Sequence, residues 1–482
     1  NIPILGNFSL AIILLIGSGI FFTCQLRFIQ VRKFKYGLHV LKTQKAKTGI
    51  SPLASFLLST AMRVGPGNIL GVTGAISIGG PGALFWMWFS AFFGMATAFT
   101  ESTLSQIFKE KKNDEYIGGL PFYGSRLLKG AAWVGVALSL LYILYALLCL
   151  PAQGFNTISA VVSMASILTG SEIAAGAPIY WITFAILIVL VAFVAFGGTK
   201  KVAKVTDVIV PIMAVLYVLG SLVVLIMNAA NIPATFALIF QCAFNPDATV
   251  GGATFGIIAA ISQGAKRGLF SNEAGMGSTP HAHALAEVKD PHEQGVVAMI
   301  GVFVDTIIVV TMTALVVLSV LYVGDGTLAT GDYATLTAET ITKTNIAQLA
   351  FGQFFGANVG AWFVAICLLF FAFSTILSWN LFAKLNVEWL FGKRAVLPFT
   401  IIALVFIFMG SLLSNDLVWE LADMFNQLMV IPNAIALFAL SGAVLAIANA
   451  KHDKRALDAA EERLEDQERA AMNALVEEDK RK

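Results

Sequence analysis

The chain has 482 residues, of which 57% are hydrophobic and only 12% charged, and its mean hydropathy is +0.80. Soluble globular domains carry about twice this charged fraction, so the composition excludes a soluble enzyme and indicates a polytopic membrane protein. The net charge of +2 says little about partners, but the distribution of the charges along the chain is informative.

Eleven segments are apolar enough to cross a membrane, which takes about 20 mainly apolar residues. We interpret the first as a true span, because residues 1–6 lack a positive charge and no A-x-A-like cleavage site follows. The predicted spans lie near residues 7–25, 51–79, 82–108, 131–167, 178–198, 205–229, 252–285, 294–323, 357–390, 396–414 and 418–449.

Basic residues occur in alternate loops between these spans. Lys and Arg concentrate in residues 27–47, 109–129, 199–204, 266–289, 384–394 and the tail from 451. The intervening loops 168–177 and 230–250 contain neither residue, and 324–356 contains only Lys343. Because cytoplasmic loops carry the excess of Lys and Arg, eleven spans predict an amino terminus outside the cell and a carboxyl terminus in the cytoplasm. This arrangement is typical of a multi-pass protein of a bacterial-type plasma membrane.

The spans after the first divide into two sets of five, each opening with a glycine-interrupted segment. An odd number of spans per set gives the two sets opposite orientations, which is the inverted repeat of secondary transporters. The predicted fold is therefore all-α, with one peripheral helix and a five-plus-five inverted repeat that has two broken helices. The predicted regions are a first helix and basic loop (1–48), a first repeat (49–230), a second repeat (231–450) and a charged cytoplasmic tail (451–482). A short amphipathic element is expected at 336–356.

The first interruption is Gly65-Pro66-Gly67-Asn68. Proline and glycine weaken a helix, and in hydrocarbon the freed backbone groups are tolerated only inside protein or beside a cavity. The new helix amino terminus would suit a substrate carboxylate, and the free carbonyls of the new carboxyl terminus would suit a sodium ion. A kink that serves packing is the alternative, and we favour a binding site.

Arg63 immediately precedes this break. A charge at such depth is costly and is normally paired. Arg63 would contact substrate or, as we prefer, form a structural or gating ion pair with Glu101, Glu273 or Asp305.

The ninth span contains Ser374, Thr375 and Ser378, followed by Trp379. Ser374 and Ser378 share one helix face and Thr375 lies beside it. Their hydroxyl oxygens are hard ligands of the kind sodium accepts, although they also fit bonds to their own helix. Trp379 would close a pocket or pack.

The fourth span carries Gln153, Asn156 and Thr157 after Pro151. Amides in an apolar helix need partners, and Gln153 or Asn156 fits either a substrate contact or an interhelical hydrogen bond. The two alternatives are equally compatible with the sequence.

The second interruption extends from Gly264 to Gly277, and its outer half is expected to approach the site near residues 262–270. His281, His283 and His292 follow it, and we favour solvated or packing roles over a metal site. The cysteines at 24, 149, 242 and 367 form no CxxC pair, which favours inert thiols over a metal or redox centre.

Several long motifs in this order resemble the alanine or glycine:cation symporter family over nearly the whole chain. They are RVGPGN (63–68), GGPGALFWMW (79–88), FFGMAT (92–97), RGLFSNEAGMGS (267–278) and FSTILSW (373–379). The chain departs from the family at Pro66, where many members have a small polar residue, and in an expanded GGLPFY stretch (118–123).

The resemblance implies a fold similar to that of the bacterial sodium-coupled leucine transporters. It also implies that Gly65, Gly67 and Asn68 hold the substrate carboxylate and that Gln153, Thr375 and Trp379 line the substrate pocket, where Phe270 is expected to help Trp379 close a small cavity. The implied sodium ligands are the carbonyls of Ala61 and Val64 and the hydroxyls of Ser374, Thr375 and Ser378.

The sequence therefore predicts a secondary active symporter that imports alanine, glycine or serine with sodium by alternating access. It predicts no enzymatic activity, no organic cofactor and no nucleic-acid partner. The alternatives are proton coupling through Glu101, Glu273 or Asp305, a preference for glutamine, and a passive amino-acid channel.

Overall fold

The structure of the protein is a computed structural model that is almost entirely helical. Apolar residues dominate the helices, and a helix pairs most of its backbone groups within the same segment, as lipid requires. The structure describes residues 10–46, 50–112, 115–128, 132–171, 173, 176–245, 247–250, 253–330, 345–410, 412–413 and 415–449.

The α-helices are numbered in chain order. In the first half they are α1 Leu10–Gln25, α2 Ile29–Arg32, α3 Phe34–Thr43, α4 Pro52–Arg63, α5 Leu70–Gly79, α6 Ala83–Ile107, α7 Leu120–Gly124, α8 Ala132–Thr169, α9 Pro178–Ala195, α10 Gly198–Met227 and α11 Ile232–Phe244. In the second half they are α12 Ile257–Asn272, α13 Pro280–Ala284, α14 Pro291–Val302, α15 Thr311–Val317, α16 Thr327–Thr330, α17 Ile346–Phe355, α18 Ala357–Phe391, α19 Val396–Met409, α20 Asn415–Ala439 and α21 Ser441–Asn449.

Shorter elements connect or extend these helices. Two antiparallel hairpins lie in loops, one pairing β1 Glu110–Lys112 with β2 Glu115–Ile117 and the other pairing β3 Asp247–Val250 with β4 Ala253–Gly256. The 3-10 helices are Pro66–Asn68, Ser125–Leu128, Ala229–Asn231 and Lys393–Ala395, and π-helical turns cover Phe303–Val310 and Leu318–Tyr322.

Each of the eleven predicted spans contains a helix or a pair of helices. Within the described parts of the chain, seven helices are long and apolar enough to cross a membrane by themselves. The segments 51–79 and 252–285 fall short because each is broken in two, and α1 and α19 have only 16 and 14 residues. The all-α membrane fold is therefore confirmed, while the count of eleven spans stays a prediction.

The segment 230–250, which the sequence analysis interpreted as a loop, contains α11. Thr235, Ile239 and Cys242 form the buried side of this helix, and a Cβ at Gly82 would overlap the Cys242 backbone. The absence of Lys and Arg identified the segment as an outer loop, but its apolar face packs against the start of α6. Of the amphipathic element expected at 336–356, the described part forms α17, and the tail 451–482 lies outside the described residues.

Both broken helices lie in the interior of the bundle. α12 packs against α5 and α6, α18 packs against α4 and α8, and α14 packs against α4 and α6. The outer helices α9 and α10 instead expose large apolar side chains such as Ile186, Phe193 and Ile226, as lipid-facing helices do. The backbone breaks are thus enclosed by protein.

Candidate functional site

The first break separates α4, which ends at Arg63, from α5, which begins at Leu70. Pro66 has no N–H group and cannot continue the helical ladder. Asn68 closes the turn, since its Oδ1 accepts a 2.9 Å hydrogen bond from the N–H of Gly65 and its own N–H donates to the Gly65 carbonyl at 3.0 Å. The segment is therefore an ordered turn and not a simple kink.

The break leaves backbone groups free on both sides. Among the described residues, no acceptor lies within bonding distance of the N–H groups of Gly67, Leu70 and Gly71, as expected at a helix amino terminus. At the end of α4, the Val64 carbonyl lacks a donor within the described chain, and the Ala61 carbonyl receives only a side-chain hydroxyl. The turn thus offers donors suited to an anion and acceptors suited to a cation.

Two glycines of the turn allow close contacts with other elements. A Cβ at Gly65 would lie 2.7 Å from the hydroxyl oxygen of Thr375, and a Cβ at Gly67 would lie 2.7 Å from the Phe270 ring. Any larger residue at either position would displace its neighbour, because real Cβ contacts are rarely this short. The structure therefore brings Gly65, Gly67, Phe270 and Thr375 together.

The predicted sodium ligands on α18 take up different positions. The Thr375 hydroxyl lies 3.1 Å from the Ala61 carbonyl and 2.9 Å from that of Phe371, and the Ser378 hydroxyl lies 3.4 Å from the carbonyl of Leu58. These two hydroxyls therefore face α4.

Ser374 differs from the other two hydroxyl residues. Its Oγ donates to the Phe371 carbonyl at 3.0 Å and lies 3.5 Å from the sulfur of Met213 on α10. In this conformation the hydroxyl is directed toward α10, and a rotation about its side-chain bond is needed for it to join the oxygens on α4.

Asp305 ties the first break to the second broken helix. It lies in a π-helical turn and is completely buried. Its carboxylate accepts hydrogen bonds from Nδ2 of Asn68 at 2.6 Å and from the hydroxyls of Ser271 and Thr306 at 2.8 Å each. The Asn68 carboxamide, predicted to hold the substrate, is thus engaged on both sides in this conformation.

Arg63 is buried and donates to three groups around the second break. Its Nε donates to the Asn272 carbonyl at 2.9 Å, and its two Nη atoms donate to the Thr279 hydroxyl at 3.0 Å and the Ala298 carbonyl at 3.4 Å. No carboxylate among the described residues lies within ion-pair distance. The direct ion pair expected with Glu101, Glu273 or Asp305 is therefore absent, and a hydroxyl and two backbone carbonyls take its place.

The second break is shorter than the sequence indicated. α12 continues without interruption through Gly264 and Gly268 to Asn272, and the chain leaves the helix at Glu273, whose φ of 53° is left-handed. Gly275 and Gly277 also have positive φ angles, of 85° and 78°, which only glycine adopts without strain.

Buried carboxylates hold this second break in place. Glu101 accepts hydrogen bonds from the N–H groups of Gly275 and Gly277 at 3.2 Å and from Nδ2 of Asn433 at 3.0 Å. Glu273 accepts from the Ser278 hydroxyl at 2.6 Å and from Nε1 of Trp379 at 3.0 Å. Glu101 therefore replaces the backbone acceptors that the break removes.

A layer of aromatic and charged side chains covers Phe270. Its ring lies 5.2 Å from that of Trp419 on α20, and the Arg267 guanidinium lies 4.9 Å from the same indole. Asp423 accepts from Arg267 at 3.0 Å and pairs with Lys266 at 2.5 Å. This layer joins α12 to α20 by charge as well as by packing.

The remaining candidate residues are also buried. Gln153 is 1% exposed, and its Oε1 has no partner in the described chain. The His281 ring lies 4.1 Å from that of Tyr142 at a tilt of 33°, and Nδ1 of His283 lies 2.7 Å from the Gln294 carboxamide oxygen. In the described part of the chain, no three His, Cys, Asp or Glu side chains group as metal ligands.

Lys109, outside the predicted spans, has a shifted pKa. Lys109 follows α6, and its Nζ donates to Oε1 of Gln106 at 2.6 Å and to the Ala286 carbonyl at 2.8 Å. Burial disfavours the charged form and lowers the pKa of this amine to about 8, although the Glu287 carboxylate opposes the shift.

Sequence reasoning missed the residues on α20. Trp419, Asp423, Asn426 and Asn433 lie on one face of this helix, at three-, four- and seven-residue spacings. The signal was present, since a carboxylate and two amides within a predicted span need interior partners.

Comparisons with known proteins agree with these motifs. The sodium:alanine symporter family matches residues 3–465. The sodium/alanine symporter AgcS of Methanococcus maripaludis is 36% identical over 449 residues, which cover 92% of this chain and 94% of that protein. The probable sodium/glutamine symporter GlnT of Bacillus subtilis is 36% identical over 444 residues, covering 90% and 86% of the two chains.

The fold also has a solved counterpart. The crystal structure of MhsT in complex with L-phenylalanine superposes with a TM-score of 0.60 at 14% sequence identity, and the match covers 86% of this chain and 95% of that one. This similarity shows the sodium-coupled leucine-transporter fold alone. On the strength of the match over almost its whole length, this chain belongs to the sodium:alanine symporter family, whose members are membrane transporters and not enzymes.

Proposed function

We propose that the protein imports a small neutral amino acid, such as alanine, glycine or serine, together with sodium by alternating access. The observation that carries this proposal is the first break, where free N–H groups and free carbonyls lie on opposite sides of one short turn. Family membership supports sodium and an amino acid as the transported pair.

The substrate carboxylate would bind at Gly65, Gly67 and Asn68. Within the described chain the Gly67 N–H has no acceptor and is available for this role, and the amino end of α5 adds a favourable dipole. The carbonyl oxygen of Phe270 lies 3.9 Å from the position of a Cβ at Gly67. A zwitterion would thus place its ammonium group against the end of α12 while its carboxylate stays at the turn.

The walls of the proposed pocket come from three helices. Gln153 would contribute from α8, Phe270 from α12, and Thr375 and Trp379 from α18. Two large rings leave little room for a side chain, which is the reason to propose alanine, glycine or serine.

Sodium would bind between α4 and α18. The carbonyls of Ala61 and Val64 and the hydroxyls of Thr375 and Ser378 are the proposed ligands, with Ser374 after rotation of its side chain. An ion bound there would hold the Gly65 turn in shape and raise amino-acid affinity, and the amino acid would raise sodium affinity by the same factor.

The proposed setting is a bacterial-type plasma membrane, with the amino terminus outside and the carboxyl terminus in the cytoplasm. The basic loops between predicted spans support this orientation. We retain the division into a first helix and loop (1–48), two inverted five-helix repeats (49–230 and 231–450) and a tail (451–482) as part of the proposal.

Buried carboxylates raise proton coupling as a second candidate. Glu101 accepts hydrogen bonds from three N–H groups, and Glu273 and Asp305 each accept one from an N–H group. Such donors suit a deprotonated carboxylate, which only accepts hydrogen bonds. This pattern favours sodium as the coupling ion. A passive channel would give no accumulation against a gradient.

Sodium-dependent uptake of labelled alanine into proteoliposomes tests the proposal. Thr375→Ala removes a proposed ligand, so its half-maximal sodium concentration should rise at least tenfold, or about 1.4 kcal/mol, whereas Thr375→Ser keeps a hydroxyl and should stay close to wild type. An unchanged sodium curve in Thr375→Ala would contradict the assignment. Uptake driven equally well by a pH gradient without sodium would favour proton coupling.

A further inference from the structure

The helix α7 lies inside the bundle although it has only five residues. All of them, from Leu120 to Gly124, are buried, and the helix packs against α6, α8 and α20. It contains most of the GGLPFY stretch (118–123) in which the chain departs from its family. Neither the proposed pocket nor the proposed sodium site includes any of these residues, so the role of α7 must be sought in its other contacts.

One side of α7 fits closely against the chain that follows the second break. A Cβ at Gly277 would lie 2.9 Å from Cδ2 of Leu120, and a Cβ at Gly119 would lie 2.7 Å from the His281 ring. Gly119 also has a φ of 115°, which only glycine adopts without strain. The two glycines thus let α7 and this part of the chain approach more closely than larger residues would permit.

A series of hydrogen bonds joins α7 to the second break itself. Oη of Tyr123 donates to Oδ1 of Asn433 on α20 at 2.5 Å, and Nδ2 of Asn433 donates to Glu101 on α6 at 3.0 Å. The same carboxylate accepts hydrogen bonds from the N–H groups of Gly275 and Gly277. The three side chains are completely buried, so removal of one partner leaves a buried polar group unpaired.

The Tyr123 hydroxyl fixes the orientation of the Asn433 carboxamide. A carboxamide carries an acceptor at one end and two donors at the other. Because the hydroxyl donates to the oxygen, the nitrogen is directed at Glu101. In the reversed orientation the carboxamide oxygen would face the carboxylate, and neither group could donate. Tyr123 therefore acts on the second break through Asn433, as a positioning residue.

The second break is also bonded to the proposed pocket. Ser278, which directly follows Gly277, donates to one oxygen of the Glu273 carboxylate, and the other oxygen accepts from the indole of Trp379. Trp379 is one of the proposed pocket residues. A continuous series of bonded groups therefore runs from the pocket to α7 through the backbone of the break.

We infer that this series couples occupancy of the pocket to movement of the chain after the second break, and that Tyr123 is a positioning residue for the coupling. The inference rests on the proposed function, because it takes Trp379 as a pocket residue and alternating access as the mechanism. In Tyr123→Phe the N–H groups of Gly275 and Gly277 lose their fixed acceptor. The chain after the break should then move even when the pocket is empty, and sodium should cross without an amino acid.

Flux of radioactive sodium into proteoliposomes tests the coupling. The measured quantity is the ratio of sodium flux without alanine to sodium flux with alanine, which does not depend on how many protein molecules are active. Tyr123→Phe should raise this ratio at least fivefold, or about 1 kcal/mol. Tyr142→Phe is the matched control, since Tyr142 is also a buried tyrosine but its hydroxyl has no partner in the described chain; its ratio should match wild type.

Hydrogen–deuterium exchange gives a second readout that needs no transport. Without alanine, the peptide 273–278 of Tyr123→Phe should exchange at least fivefold faster than that of wild type, because exchange reports local opening at the N–H groups of Gly275 and Gly277. Asn433→Ala interrupts the same series of bonds. The double variant should therefore exchange no faster than Asn433→Ala alone, as expected for two residues in one network.

Three results would overturn the inference. They are a wild-type flux ratio in both Tyr123→Phe and Asn433→Ala, a wild-type exchange rate of the peptide in Tyr123→Phe, and a flux ratio that Tyr142→Phe raises equally. Absence of alanine-stimulated sodium flux in wild type would instead contradict the proposed function, and the exchange comparison would still decide whether Tyr123 holds the second break.

Discussion

Gly65→Ala separates the role of the Thr375 hydroxyl from that of the turn. The φ and ψ angles of Gly65 are −127° and −169°, an extended conformation that alanine adopts without strain. The new methyl group would lie 2.7 Å from Oγ1 of Thr375, whereas ordinary contacts begin at 3.4 Å. The hydroxyl must therefore move by about 0.7 Å, away from its position beside the Ala61 carbonyl.

The size of the effect follows from packing. Adding a methylene to a filled interior costs about 1–3 kcal/mol. If Thr375 is a sodium ligand, its hydroxyl must return to the crowded position when sodium binds, so the free energy of sodium binding becomes less favourable by this amount. Since each 1.4 kcal/mol is a factor of ten, the half-maximal sodium concentration for alanine uptake should rise about 5- to 140-fold.

Gly74→Ala is the matched control, because Gly74 lies on the neighbouring α5 and a Cβ there would meet no atom within 4 Å. Sodium titration of uptake and of alanine binding should separate the two variants. A Gly65→Ala protein that folds and keeps the wild-type sodium curve would refute the assignment of Thr375 as a sodium ligand.

Two further predictions concern charged groups near the ends of the spans. Asp423→Asn removes the shared partner of Lys266 and Arg267, and truncation of such a pair costs about 2–5 kcal/mol. If the layer over Phe270 holds the substrate in place, labelled alanine should then dissociate at least tenfold faster, and an unchanged dissociation rate would contradict this role of the layer. Folding lowers the pKa of Lys109 from 10.5 to about 8. Between these two pH values the unfolded chain carries a proton on this amine that the folded protein lacks, so the free energy of unfolding rises with pH over this range. Between pH 8 and 10.5 the free energy of unfolding of wild type should rise by up to about 3 kcal/mol relative to that of Lys109→Met. Thermal denaturation of both proteins across this pH range measures the difference, and a difference that does not change with pH would contradict the prediction.

The fold class was predictable because hydropathy acts on whole segments. Lipid excludes unpaired backbone, so long apolar runs can only be helices, and the first break was evident from Gly65-Pro66-Gly67. The helix α11 was not predicted, since an apolar segment of 13 residues is shorter than a span and was assigned to a loop. Hydropathy also could not locate the second break, because Gly264 and Gly268 fit inside α12 while Glu273 leaves the helix.

The sequence indicated which segments form the candidate site, but not how their side chains are oriented. Ser374 and Ser378 share a helix face, but the rotamer of Ser374 directs its hydroxyl toward Met213, and no spacing rule predicts a rotamer. Likewise the sequence indicated that Arg63 needs partners, but whether these are carboxylates or carbonyls depends on how the second break folds around it.

The hydrogen bonds of Asn68 suggest how sodium and substrate are coupled. Its carboxamide accepts from the N–H of Gly65 and donates to Asp305, and the same carboxylate accepts from Ser271 on α12. An ion that fixes the turn at Gly65 would therefore also fix the end of α12, where Phe270 covers the proposed substrate position. Since coupling between two ligands is reciprocal, a substrate that draws Asn68 away from Asp305 would change sodium affinity through the same three bonds. Asp305 therefore links the two broken helices through side chains, as Arg63 does through its bonds to Asn272 and Thr279.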